Sequence, residues 1–180
     1  MLSSPHVFWL FGLSGAGKST LAEILVKHLR DERLPVLSLD GDDLRAGLCR
    51  GLGFSDNDRT ENLRRAAEAA KLGMSSGLCV VASFITPLQS HRQLVTDILG
   101  AQNVSMIHVS APFEVCRSRD TKGLYARAQA GQVAQMTGLS SPFEAPERTD
   151  LVIATAHMDI AASAAQLLRF ARTRLASSHG

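Results

Sequence analysis

Five short apolar segments recur along the chain, each rich in β-branched residues and separated from the next by a stretch with helical periodicity. Segments of this length and composition are typical of buried strands, and their alternation with helices predicts a parallel sheet. The predicted strands are 7–13, 35–39, 78–85, 104–110 and 150–155. The pattern therefore predicts an α/β fold in which helices sandwich a five-stranded parallel sheet.

Apolar residues three and four positions apart mark the faces of the helices. The motif "DRTE" has the spacing of a capping box, so Asp58 is expected to cap a helix and Glu61 to reach back to it. The predicted apolar faces are Leu21, Ile24, Leu25 and Leu29 after the first strand, Leu63, Ala66, Ala67 and Ala70 after "DRTE", and Ile160, Ala164, Leu167, Leu168, Ala171 and Leu175 in the last helix.

Segment 121–146 interrupts this alternation. It is polar, contains glycine and ends in "SSPFEAP". Because connections of this length in a compact domain often close over a site, the segment is predicted to be a lid.

Composition narrows the function classes. The 180 residues, 45% of them hydrophobic, suffice for one domain, expected to span 1–180. A formal net charge of +2 provides no basic surface for nucleic acid and favours a small-molecule partner. No apolar run reaches the about 20 residues of a membrane span, and three cysteines without close pairing favour a cytoplasmic protein.

The segment "GLSGAGKST" fits the phosphate-binding pattern G-x-x-x-x-G-K-[ST] and lies between a predicted strand and a predicted helix. In such a loop Lys18 reaches the terminal phosphates and the Ser19 hydroxyl binds Mg²⁺, which predicts a nucleotide triphosphate with magnesium as the ligand. The alternative is a glycine-rich turn that only joins strand to helix. The predicted ATP-binding residues of the loop are Gly12, Leu13, Ser14, Gly15, Ala16, Gly17, Lys18, Ser19 and Thr20.

Three carboxylates, Asp40, Asp42 and Asp43, follow the second predicted strand. Ligands of parallel sheets gather at this end of the strands, so the carboxylates are expected to face the triphosphate. Asp40 is predicted to join Ser19 at the metal, and one carboxylate can accept the proton of an attacking hydroxyl. The alternative is that Asp42 or Asp43 caps a helix beginning near Leu44.

Four arginines follow these carboxylates: Arg45, Arg59, Arg64 and Arg65. A guanidinium in this position could bind an anionic substrate through two parallel hydrogen bonds. The alternative for each is a solvated or ion-paired surface residue.

Together, "GLSGAGKST", "DGDDLRAGL", "GFSDNDRTENLRR", "SFITP", "RDTKGLYARAQAG", "TGLSSPFEAP" and "DLVIAT" resemble the adenylylsulfate kinase (APS kinase) family. The resemblance implies a P-loop kinase fold and transfer of the ATP γ-phosphate to the 3'-hydroxyl of adenosine 5'-phosphosulfate (APS), which gives ADP and 3'-phosphoadenosine 5'-phosphosulfate (PAPS). Family members commonly form dimers, so a homodimer is also expected.

The resemblance also implies roles for single residues. Asp42 looks like the carboxylate that faces the acceptor hydroxyl, and Lys122 is similar to a lysine near the transferred phosphate. Arg119 and Thr155 resemble elements near the ATP base. The residues implied to contact APS are Asp40, Asp42, Asp43, Arg45, Phe54, Arg59, Asn62, Ile85, Lys122, Gly123 and Phe143, with Phe54 and Phe143 as a pair that sandwiches the adenine.

The sequence departs from the family pattern at three positions. Asp43 replaces an asparagine and adds negative charge near an anionic substrate, while Gln129 replaces a lid arginine for which Arg127 could compensate. Thr86 replaces a serine proposed to form a phosphoserine intermediate; it is kept as a candidate catalytic residue, but direct in-line transfer is expected. These departures leave two alternatives, a P-loop kinase of another small metabolite and a non-catalytic nucleotide-binding partner in a sulfate-activating complex.

Overall fold

The computed structural model of the chain describes residues 5–120, 123–129, 137–138 and 141–177. The strands are β1 (Val7–Phe11), β2 (Val36–Asp40), β3 (Cys79–Phe84), β4 (Val104–Ser110) and β5 (Leu151–Ala154). The helices are α1 (Lys18–Asp31), α2 (Gly41–Ala46), α3 (Asp56–Ser75), α4 (Gln89–Leu99), α5 (Phe113–Arg119), α6 (Leu124–Gln129) and α7 (Ile160–Ser177).

All five strands pair in parallel in the order β2-β3-β1-β4-β5, which confirms the predicted α/β fold. β1 and β3, two of the three inner strands, are buried along their whole length and are therefore mostly apolar without alternation. The first strand is shorter than predicted, since it ends at Phe11 and the chain turns at Gly12.

Two apolar clusters lie on the two faces of the sheet. One joins α1 and α7 to the sheet and includes the predicted residues Leu25 and Leu167, both 0% exposed. The other contains the predicted α3 residues Leu63, Ala66, Ala67 and Ala70. The prediction for Ile160 is wrong: it begins α7, ahead of the turns that pack on the sheet, and is 64% exposed. Within the described ranges, no helix has the length and apolarity of a membrane span.

Candidate active site

The loop between β1 and α1 brings its backbone against neighbouring strands and helices. Gly12 and Gly15 have φ angles of +150° and +80°, which residues with a Cβ atom rarely adopt. A Cβ atom on Gly12 would lie 2.2 Å from the carbonyl oxygen of Val109, and one on Gly15 would lie 2.7 Å from that of Cys116. Glycine is therefore required at both positions by backbone conformation and by space.

Positive charge gathers where this loop enters α1. The residue that caps the helix, Gly17, offers no side-chain acceptor to the first N–H groups of α1, so these donors remain suited to an anion. Lys18 is only 8% exposed, and its Nζ donates to the carbonyl oxygen of Leu13 at 2.8 Å. The arrangement matches a phosphate-binding loop rather than a simple turn.

Two residues predicted to lie near ATP hold this loop in place. The Thr155 hydroxyl donates to the carbonyl oxygen of Ala16 at 2.8 Å. Arg119 in turn donates through Nη2 to the carbonyl oxygen of Thr155 at 2.7 Å. The structure thus brings Arg119, Thr155 and the loop together.

A third residue holds the loop and was not predicted. The Tyr125 hydroxyl, on α6, donates to the carbonyl oxygen of Ser14 at 2.8 Å. Both carboxylate oxygens of Asp120 accept from the first turn of α6, at the N–H groups of Tyr125 and Ala126. Burial raises the pKa of Tyr125 to about 12, so the hydroxyl remains a donor at neutral pH. This contact fixes the start of the predicted lid to the phosphate-binding loop.

Asp40 has two roles at the end of β2. Its Oδ2 accepts from the Ser19 hydroxyl at 3.0 Å, and its Oδ1 accepts from the backbone N–H of Asp42 at 2.9 Å. Asp40 is therefore the cap of α2, which begins at Gly41, and the alternative that Asp42 or Asp43 caps a helix near Leu44 is wrong. The earlier start follows because a carboxylate at the strand end already satisfies the first amide of the helix.

The other two carboxylates after β2, Asp42 and Asp43, differ in their position relative to the cleft. Asp42 lines a cleft of about 730 Å³ that also includes Lys18 and Ser19. Asp43 is exposed and does not line the cleft. The charge that Asp43 adds therefore lies outside the cleft walls.

In the wall of the same cleft, two guanidinium groups lie near an exposed aromatic ring. The Arg45 guanidinium lies 4.4 Å from the centroid of Phe54, and that of Arg59 lies 6.0 Å from it. Arg45 donates to the carbonyl oxygen of Gly53 at 3.0 Å, and Arg59 to the Thr137 hydroxyl at 2.7 Å. Burial lowers the pKa of both arginines, and the Arg45 charge lowers that of Arg59 further. An anion bound between them would stabilise their charged forms, which burial disfavours.

The two remaining arginines, Arg64 and Arg65, show that the predicted capping box of α3 is wrong. Arg64 and Arg65 both bind the Glu61 carboxylate, which lowers its pKa to about 2. Glu61 therefore does not close a capping box with Asp58. The cap of α3 is Ser55, whose hydroxyl accepts from the N–H of Asp58 at 3.2 Å and donates to its carboxylate at 2.7 Å. The helix thus begins at Asp56, one turn earlier than predicted.

Two predicted residues in the cleft wall are deeply buried. Asn62 is 5% exposed, and its Oδ1 has no hydrogen-bond partner among the described residues. Thr86 is 1% exposed and has a φ of +44°, a strained conformation for a β-branched residue. Its hydroxyl accepts from the indole N–H of Trp9 at 2.9 Å. The Trp9 contact was not predicted, although a buried indole generally requires an acceptor.

The end of the predicted lid packs beside the loop that carries Thr86. Arg92 is 4% exposed and donates to the carbonyl oxygens of Thr86 at 3.2 Å and Glu144 at 3.1 Å. Phe143 lies 5.9 Å from the Arg92 guanidinium and does not line the cleft in this structure. Arg92 also donates to the Gln89 side chain at 3.2 Å. It is a further residue that the sequence did not reveal, because its distant partner, the carbonyl oxygen of Glu144, is a backbone atom that leaves no sequence pattern.

The cleft collects most of the residues predicted to contact the acceptor, three of the predicted ATP-binding residues and Thr86. Those in its walls are Ser14, Lys18, Ser19, Asp40, Asp42, Arg45, Phe54, Arg59, Asn62, Ile85 and Thr86. Arg127 on α6 also lines it. Gly123 precedes α6 outside these walls, while Lys122 and the side chain of Gln129 lie outside the described residues.

Comparisons with known proteins agree on one family. The sequence model described as adenylylsulphate kinase matches residues 4–154. An adenylyl-sulfate kinase of Paraburkholderia xenovorans is 51% identical over 154 residues, which are 86% of each chain. The solved structure of the Mycobacterium tuberculosis APS kinase in complex with AMPPNP and APS has a TM-score of 0.89 at 35% identity, covering 94% of this chain and 99% of that one. A hexameric APS kinase from Thiobacillus denitrificans has a TM-score of 0.68 at 28% identity, covering 94% of this chain and 29% of that one.

Proposed function

The chain belongs to the adenylylsulphate kinase family, and we infer from this membership that it transfers the γ-phosphate of ATP to the 3'-hydroxyl of APS, giving ADP and PAPS. The observation that carries this function is a single cleft that joins the phosphate-binding residues Lys18 and Ser19 to the cation pair Arg45 and Arg59 beside Phe54. Such a cleft suits two anionic nucleotides that meet end to end.

The donor side is proposed to hold ATP with Mg²⁺. A serine hydroxyl and a carboxylate 3.0 Å apart, Ser19 and Asp40, are the hard oxygen donors that this ion takes. When bound, the ion supplies positive charge that offsets the charge of the triphosphate. Lys18 and the first amides of α1 add further positive charge at the phosphates, and Arg119 and Thr155 are proposed to lie near the adenine.

Asp42 is proposed as the general base. It would accept the proton of the 3'-hydroxyl while that oxygen bonds to the γ-phosphorus and the bond to the bridging oxygen of ADP breaks. The Thr86 hydroxyl is buried and bound to Trp9, so a phosphothreonine intermediate would require this contact to break. We therefore propose direct transfer, in which Thr86 shapes the acceptor side of the cleft.

The acceptor side is proposed to bind APS by charge and stacking. Arg45 and Arg59 would bind the phosphosulfate, and Phe54, which is 50% exposed, would stack on the adenine. The Oδ1 of Asn62, which has no partner among the described residues, requires a donor, and this indicates an N–H or O–H group of the substrate rather than an anionic oxygen. Asp43, which does not line the cleft, is proposed to act on APS only through its charge.

The lid and the assembly remain proposals as well. We expect 121–146 to close over the cleft, with Lys122 near the transferred phosphate, Gly123 beside it and Phe143 as the second aromatic at the adenine. Arg127, which lines the cleft, would supply the charge that Gln129 does not. One domain over 1–180, a homodimer and a cytoplasmic location complete the proposal.

An ADP-release assay with and without APS tests the function. We expect ADP to form only when APS is present and the product to be heavier than APS by one phosphoryl group, measured by mass spectrometry. APS-independent ADP formation, stimulated by a different acceptor, would contradict the proposal. Nucleotide binding without any turnover would instead indicate a non-catalytic partner.

A further inference from the structure

Among the residues that the structure describes, one buried hydroxyl in the cleft wall has no hydrogen-bond partner. Ser83, at the second-to-last position of β3, is 4% exposed, and its Oγ forms no hydrogen bond with the described residues. Buried hydroxyls are nearly always hydrogen-bonded, because an unsatisfied one lowers stability relative to alanine. A serine here therefore indicates a partner that arrives with the ligand.

The strand register places this hydroxyl beside the proposed metal ligands. Ser83 on β3 is the register partner of Asp40 on β2. Register partners in a parallel sheet have side chains on the same face, with backbones about 4.8 Å apart. On that face Asp40 accepts from Ser19, and all three residues line the cleft. Two hydroxyls and one carboxylate thus converge at the carboxyl end of the strands.

Mg²⁺ in nucleotide sites keeps several of its water ligands, and protein groups that bind those waters tune its affinity. A serine hydroxyl can accept one hydrogen bond from such a water and donate another. We propose that Ser83 Oγ binds a water of the Mg²⁺–ATP complex and is a third protein oxygen of the metal site, beside Ser19 and Asp40. This inference rests on the proposed magnesium site.

A direct hydrogen bond from Ser83 to a phosphate oxygen of ATP would also give the hydroxyl a partner. The two cases differ in their dependence on metal. A contact with metal-bound water affects nucleotide binding only when the metal is present, whereas a phosphate contact also acts without it.

The chain offers a matched control in Ser163 on α7. Its hydroxyl is likewise buried, at 1% exposure, and without a partner among the described residues, but it does not line the cleft. Ser163→Ala therefore removes the same atom from the same kind of environment. The change lies outside the cleft that contains the proposed metal ligands.

The test is a titration with Mn²⁺ as the probe, in which free Mn²⁺ is followed by electron paramagnetic resonance in the presence of AMPPNP. We expect Ser83→Ala to raise the Mn²⁺ dissociation constant of the enzyme–AMPPNP complex about tenfold. The same variant should bind AMPPNP normally in EDTA, and Ser163→Ala should match the wild type in both measurements. Unchanged Mn²⁺ binding in Ser83→Ala, or an equal loss of metal-free AMPPNP binding, would overturn the proposal.

Thermal unfolding without ligand provides the folding check. Because each alanine removes an unsatisfied hydroxyl, the midpoint should rise or stay constant in both variants. A fall confined to Ser83→Ala would show that the hydroxyl has a partner in the protein itself and would also overturn the proposal. A wild type that releases no ADP with APS would refute the proposed function, while the Mn²⁺ titration would still report on the metal site.

Discussion

The two sides of the cleft are constructed differently. The ATP side, as proposed, is a run of consecutive residues, 12–20, of which Ser14, Lys18 and Ser19 line the cleft. The acceptor side consists of side chains from several elements of the fold. They are Arg45 from α2, Phe54 from the loop before α3, Asn62 from α3 and Thr86 from the loop after β3. One side is a local motif, and the other exists only after folding.

This difference has a chemical consequence. A triphosphate is recognised by a loop that directs backbone amides at it. The ATP side therefore needs glycines and one cation, and not a set of side chains matched to the shape of the ligand. An acceptor with a base, a ribose and a mixed anhydride requires a stacked ring, paired guanidinium groups and a carboxylate at chosen distances. Changes on the ATP side should therefore affect catalysis first, and changes on the acceptor side should affect selectivity.

The largest expected effect lies on the ATP side. Lys18→Ala should lower kcat by about a thousandfold or more, because charge stabilisation of a transferring phosphoryl group accounts for several kcal/mol of the barrier. Steady-state assays with ATP and APS measure this loss. Lys27→Ala is the control on the same helix, since Lys27 is exposed and forms an ion pair with Asp31. A kcat for Lys18→Ala close to that of Lys27→Ala would show that the loop does not position the reacting phosphate.

The next effect lies where the two sides meet. Asp42→Asn should lower kcat by about a hundredfold or more while the KM for ATP stays constant, because the amide cannot accept the acceptor's proton. The neighbouring Asp43→Asn is the matched control, since it makes the same change at a carboxylate that does not line the cleft. Equal kcat values in the two variants would remove Asp42 from the chemistry.

The sequence predicts the ATP side of the cleft better than contacts between distant parts of the chain. The ATP side was predictable because its determinants lie within nine consecutive residues, and the strands because buried parallel strands are continuously apolar. The cap of α3 was misplaced because "SDND" and "DRTE" both fit a capping box. Only tertiary contacts decide between them: Glu61 is held by Arg64 and Arg65, which leaves Ser55 as the cap.

The contacts that the sequence did not reveal join residues distant along the chain. Trp9 binds Thr86, 77 positions away, and Tyr125 binds the backbone of Ser14, 111 positions away. Each is the only residue of its type in the chain. A buried indole or phenol predicts that an acceptor exists but not which one, and a backbone acceptor has no residue type to recognise. Only the folded chain supplies these partners.

A smaller effect should be confined to the acceptor side. Arg45→Lys keeps the charge but loses the planar pair of donors and the contact with Phe54, so the KM for APS should rise about tenfold with that for ATP unchanged. Arg64→Lys is the control, because Arg64 pairs with Glu61 away from the cleft. A rise in the KM for ATP as large as that for APS would contradict the separation of the two sides.

The smallest effect tests the connection between the lid and the ATP side. Tyr125→Phe removes one hydrogen bond to Ser14, which contributes about 0.5–1.5 kcal/mol, so the KM for ATP should rise about twofold to tenfold. Because burial raises the pKa of Tyr125 to about 12, the wild-type phenol stays protonated, and the ratio between variant and wild type should be constant from about pH 6 to about pH 9. A ratio that falls toward one as the pH rises would mean that the hydroxyl ionises in this range. An unchanged KM throughout would mean that Tyr125 anchors α6 by packing alone, and that ATP and the lid are coupled by other contacts.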